Sequence, residues 1–106
     1  MNQQLRNLLN DLRREFTALY GPRLVQIILF GSQARGDAQA SSDIDVLVVL
    51  RDTVNPGVEI VRTGPIVAAL SLRENVVIAC VFMSEDRFLH RNGPLLRNIR
   101  HEGIPV

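Results

Sequence analysis

Asp43 and Asp45, with Ile44 between them, stand at the head of the aliphatic run Ile44 to Leu50, and Gly31-Ser32 closes the apolar run before it. On a β-strand, residues two apart point to one face, roughly 6.5 to 7 Å apart along it. The two carboxylates therefore project together while Ile44 and Val46 turn into the core. Held so close and partly desolvated, they repel and tend to take up a proton. A divalent cation between them relieves that repulsion, and hard oxygen ligands select magnesium or manganese over zinc. Gly31 and Ser32 supply a complementary part: a glycine at a strand-to-helix turn lets the backbone approach a phosphate, and the amides from Ser32 to Arg35 would point at that anion. Gly36 then ends the turn. Phosphate binding beside metal-binding carboxylates is what a nucleoside triphosphate site requires. Plainer roles stay open: an Asp-x-Asp at a strand mouth can cap a turn or pair with arginine, Ser32 can be a helix cap, and Arg35 can pair with Asp37, Asp43 or a neighbouring acid instead of touching nucleotide.

The elements that must position these residues are marked by changes of hydrophobic period. Leu5, Leu8, Leu9, Leu12, Phe16 and Leu19 recur at three-and-four spacing, which predicts an amphipathic helix over 2–20, ended by Gly21-Pro22. Runs 24–30 and 44–50 read as strands, as does 76–83. Asn55-Pro56 has the form of a cap followed by proline at the first helical position, opening a helix toward Leu72 that Gly64-Pro65 should kink or split. Ser84 can cap a short helix beginning with Glu85 and Asp86, where acids suit the dipole. Pro94 opens a last helix, stopped by Gly103 and Pro105. Ser41 and Ser42 belong to a flexible turn. The Leu/Phe face of the first helix is broad for so small a chain, so part of it is expected to contact a second subunit, in a homo- or hetero-oligomer.

With 106 residues, 46% of them hydrophobic, the chain is expected to form one domain over 1–106. A net charge of +1 and 5% aromatic residues disfavour direct nucleic-acid binding, since there are few side chains to stack on bases. No apolar stretch approaches membrane-spanning length and the N-terminus has no apolar signal segment, so the expected location is the cytoplasm, with no membrane partner. The single cysteine, Cys80, excludes an internal disulfide and reads as core filler. His90 and His101 lack ligand spacing and read as surface or packing residues. Tyr20, beside Gly21-Pro22, either packs at the helix end or is exposed as a modification site.

The stretch "LFGSQARGDAQASSDIDVLVV", residues 29–49, resembles the signature of the polymerase-beta-like nucleotidyltransferase superfamily: hydrophobic, Gly, Gly or Ser, a spacer, then Asp, hydrophobic, Asp. In GSxARG followed by SDIDVLV it is similar to the minimal nucleotidyltransferases, the MNT proteins found beside HEPN-domain partners in toxin–antitoxin pairs. That resemblance implies an α/β (α+β) fold, a small mixed sheet covered by helices on one side. It implies that Gly31 and Ser32 bind the β- and γ-phosphates of ATP or another nucleoside triphosphate, that Arg35 and Gly36 shape that turn, and that Asp43 and Asp45 hold Mg2+ ions, or Mn2+, for attack on the α-phosphate. It also implies a third carboxylate on the third strand. The chain reads Val76-Val77-Ile78-Ala79-Cys80-Val81-Phe82 there, and the nearest acids, Glu74 and Glu59, read as solvated charges. The expected function is transfer of a nucleoside monophosphate, AMP foremost, to a hydroxyl of a partner protein or RNA, as antitoxin of a HEPN ribonuclease. The alternative is a catalytically impaired antitoxin acting by steric docking.

Overall fold

The computed structural model describes residues 1–36 and 43–106. Helix α1 spans Gln3–Tyr20, capped by the Asn2 side chain, which accepts from the Leu5 amide at 2.8 Å. Its Leu5, Leu8, Leu9, Leu12, Phe16 and Tyr20 are buried. At a fully buried leucine such as Leu12, truncation to alanine costs about 2–5 kcal/mol. A 3-10 turn at Gly21–Arg23 leads into β1, Leu24–Phe30. Next come the one-turn helix α2, Ser32–Arg35, and β2, Ile44–Leu50. Helix α3, Pro56–Glu74, is followed by β3, Ile78–Ser84. The chain continues through α4, Glu85–His90, and α5, Pro94–Glu102, into the two-residue β4, Ile104–Pro105.

The four strands form one sheet in the order β3-β2-β1-β4, with β1 antiparallel to both β2 and β4 and β2 parallel to β3. It is a mixed sheet, as the resemblance implies, and α3 makes the crossover that a parallel pair requires. Its helical cover differs from expectation. Helices α1 and α3 bury one face, with Ile27, Leu29, Val46, Val48, Leu50 and Phe82. Leu96 and Ile99 of α5 cover the other, against Ile28, Leu47, Val49 and Met83. The reason is in the central strands: β2 is buried at Val46, Leu47, Val48, Val49 and Leu50 without alternation, and a strand apolar on both sides needs cover on both.

Two further expectations are corrected. Helix α3 runs unbroken through Pro65, because the Val61 carbonyl that loses its amide partner lies at a position 77% exposed, where water can satisfy it. Most of the apolar face of α1, at Leu5, Leu8, Leu9, Leu12 and Phe16, is buried within this chain, and Leu19 is exposed. Tyr20 is buried, and its hydroxyl donates to Glu59 Oε1 at 2.7 Å, which rules out the exposed alternative. The expected turn at Ser41 and Ser42, and a pairing of Arg35 with Asp37, lie outside the described residues.

Candidate active site

Two strand ends build the site. Phe30, the last residue of β1, pairs with Asp45 across the antiparallel ladder, and the chain then turns at Gly31 with φ of +75° into α2. The turn brings the Gly31 Cα against the Asp45 side chain: a Cβ built on Gly31 would stand 2.5 Å from Asp45 Oδ2. Only a glycine fits there, on grounds of both space and backbone angle. Within α2, the Ala34 and Arg35 amides donate to the Gly31 carbonyl at 3.1 Å, and Gly36, left-handed at φ +80°, closes the turn by donating to the Ser32 carbonyl at 3.0 Å. The first amides of such a turn have no intrahelical acceptor and can face an anion.

Asp43 is exposed just before β2, where the Ile44 amide donates to the Val77 carbonyl at 2.8 Å and fixes the strand entry. Asp45 is half-buried. Burial, and secondarily the Asp43 charge, raise its pKa above the ordinary carboxylate value, while the Arg35 guanidinium acts in the opposite direction. The repulsion expected between two acids one residue apart is thus present, and a cation bridging them would relieve it. Among the described residues no group of three or more His, Cys, Asp or Glu side chains could hold a metal ion. With no third such side chain among the described residues, the pair would hold a hard cation together with other oxygens, such as those of phosphate and water.

On the other side of β2, the parallel register sets Ala79 beside Asp45. Paired residues of a parallel ladder share a face, and Ala79 offers no oxygen. The two acids the sequence places nearest to that role, Glu74 and Glu59, are engaged elsewhere. Glu74 accepts from Gln4 Nε2 at 3.0 Å and Arg73 Nε at 3.1 Å. Glu59 is not solvated, as its sequence position suggests, but 2% exposed in the first turn of α3. It accepts from Tyr20, from Arg23 at 3.3 Å and from Arg62 at 3.2 Å, which satisfies its charge inside the fold. His90 is exposed and bonded to Asp86, and His101 is exposed. One site neighbour escapes sequence reasoning: Glu102, the last residue of α5, pairs with Arg35 at 3.4 Å.

A family model described as a nucleotidyltransferase domain matches residues 5–102. The chain belongs to the nucleotidyltransferase domain family. This nucleotidyltransferase domain is 34% identical to a candidate protein adenylyltransferase of Methanocaldococcus jannaschii over 97% of this chain and 96% of that protein. Its fold resembles that of a candidate minimal nucleotidyltransferase with a TM-score of 0.63 and 23% identity, covering 100% of this chain and 97% of the other. It also resembles a chain in the complex of a tri-AMPylated Shewanella oneidensis HEPN toxin with its MNT antitoxin, with a TM-score of 0.54 and 19% identity over 92% of this chain and 68% of that one. A mixed-sheet nucleotidyltransferase fold is therefore the frame in which the acids and the glycine turn sit.

Proposed function

We propose that this nucleotidyltransferase domain binds a nucleoside triphosphate, ATP foremost, with Mg2+, and transfers the nucleoside monophosphate to a hydroxyl of a partner protein or RNA. The observation that carries this reading is the contact between Gly31 and Asp45, which joins a phosphate-accepting turn to a carboxylate pair with no atom between them to spare. In this reading Gly31 and Ser32 receive the β- and γ-phosphates, Arg35 offsets their charge, and Asp43 and Asp45 hold the cation. When bound, Mg2+ neutralises charge on the phosphates during transfer. The acceptor oxygen bonds to the α-phosphorus, the bond to the β-phosphate oxygen breaks, pyrophosphate leaves and the hydroxyl proton passes to a base. The adenylyltransferase relative and the AMPylated toxin complex support AMP as the transferred group and a HEPN-domain ribonuclease as the partner this domain neutralises.

A second reading rests on Ala79. With Ala79 and no carboxylate beside Asp45 on β3, the described residues offer the proton no third carboxylate, and loss of a general base commonly costs about two to four orders of magnitude in rate. That favours a domain that binds nucleotide, transfers it poorly, and blocks its partner by docking. The two readings separate on one experiment. The chain is incubated with labelled ATP, Mg2+ and a candidate HEPN-domain partner, comparing wild type with Asp43→Asn/Asp45→Asn. Label on the partner that disappears in the double variant supports transfer. Equal neutralisation of the partner by both proteins with no label supports docking. If Mg2+ and ATP leave the thermal midpoint of the wild type unchanged, nucleotide binding itself is excluded.

A further inference from the structure

Glu102 is in an unfavourable place for a carboxylate. It ends α5, where the helix dipole favours cations, and Arg100 and His101 before it obey that preference. Its position is nevertheless tightly determined. Gly103, which follows, packs so closely that an added Cβ would stand 2.4 Å from the Ile99 carbonyl oxygen and 2.6 Å from Ile28 Cγ2. Immediately beyond, Ile104 pairs with Leu29 and Pro105 with Ile28, one residue short of the Phe30-Gly31 corner. The end of α5 is thereby pinned next to the turn that carries Arg35, and the Glu102 carboxylate meets the Arg35 guanidinium at 3.4 Å. The Arg35 charge also acts to lower the pKa of Asp45, so the guanidinium that meets Glu102 is within electrostatic range of the carboxylate pair.

We infer that Glu102 is a positioning residue, orienting the Arg35 guanidinium toward the triphosphate site that α2 and β2 form. This deepens the proposed function and rests on it. A guanidinium presents five N–H donors in a rigid fork, so contact with a carboxylate at one nitrogen is compatible with contact to phosphate oxygens at another. The exposed ion pair contributes little to folding, because half-solvated pairs are screened. Its effect falls on binding: an arginine already held in one orientation loses less freedom when phosphate arrives.

The test measures affinity for Mg2+ with a non-hydrolysable ATP analogue by calorimetry, in wild type, Glu102→Gln and Glu102→Ala, together with thermal midpoints. Glutamine keeps an oxygen acceptor for Arg35 at position 102, and alanine removes that acceptor. Glu102→Ala should bind about two- to tenfold more weakly, Glu102→Gln within about twofold of wild type, and the thermal midpoint should not change. In an Arg35→Ala background, Glu102→Ala should have no additional effect, which a role in helix packing would not predict. Equal binding by all three single-background proteins, or tighter binding by both Glu102 variants, overturns the inference and leaves the proposed function standing. Absence of binding by the wild type overturns both.

Discussion

Ala79 and Asp45 are neighbours across the parallel β2–β3 ladder, and their side chains share the face that α5 partly covers. Ile78, one residue earlier, faces the opposite core and is 6% exposed. Restoring an acid to β3 therefore has one productive position. Ala79→Asp should raise monophosphate transfer at least about tenfold if the missing base limits the rate. Ile78→Asp should instead lower stability by about 3 kcal/mol or more, by burying an unpaired charge. Label transfer and urea unfolding on both variants check this; no gain from Ala79→Asp in a folded protein would place the limitation elsewhere.

Gly31→Ala should harm the site and the fold together. The new methyl group would press on Asp45 Oδ2, and alanine is strained at φ +75°. A loss of about 1–3 kcal/mol is expected, with the nucleotide-induced thermal shift abolished. Gly36→Ala provides the comparison, since its φ of +80° is similar but an added Cβ there has nothing within 4 Å. A Gly36 variant as defective in nucleotide binding as the Gly31 variant would argue against the contact with Asp45.

Tyr20 should give stability an alkaline limit. Burial first, then the hydrogen bond to Glu59 and its charge, push the Tyr20 phenol far above its ordinary value. The folded state thus favours the neutral phenol, so its stabilisation is complete below the unfolded pKa of about 10 and is lost as pH rises toward the folded value. Tyr20→Phe, which leaves Glu59 without one donor, should cost about 1–3 kcal/mol at neutral pH. Urea titrations should show the difference between the two proteins narrowing above pH of about 10, and a difference constant from pH 7 to 11 would disprove the assignment.

Cys80 should be inert. Burial alone raises its thiol to about 12, so almost none is thiolate at neutral pH. Alkylation by iodoacetamide at pH 7.5, followed by mass spectrometry, should be slow in the folded protein and rapid in urea. Fast labelling without denaturant would show that β3 opens from α3.

The legible parts of the chain were those where local pattern and tertiary placement agree. The period of Leu5 to Leu19, the Asn55-Pro56 start and the strand 44–50 each need only their own neighbours, and the Gly31 to Asp45 signature is short and continuous. What escaped the sequence depends on partners far along the chain. Glu59 looks like any first-turn acid until Tyr20 and Arg23 close on it, and Glu102 is 67 positions from Arg35. The two-residue β4 contains a proline and has no strand pattern; it exists because the exposed edge of β1 accepts it. Cover on both faces of the sheet was missed in favour of cover on one side, although the run of β2 is apolar without alternation, because a short apolar run does not by itself show how many faces are covered or by which helices.

The donors that satisfy Glu59 come from the end of α1, the following turn and α3 itself, at Tyr20, Arg23 and Arg62. A partly unfolded chain with α1 peeled from α3 would lose the Tyr20 donor and the packing that α1 provides over Glu59 at the same time. Such a species is penalised relative to both the complete fold and the fully opened chain. The carboxylate therefore acts as a cooperativity device, coupling detachment of the first helix to loss of the sheet and favouring a single all-or-none transition.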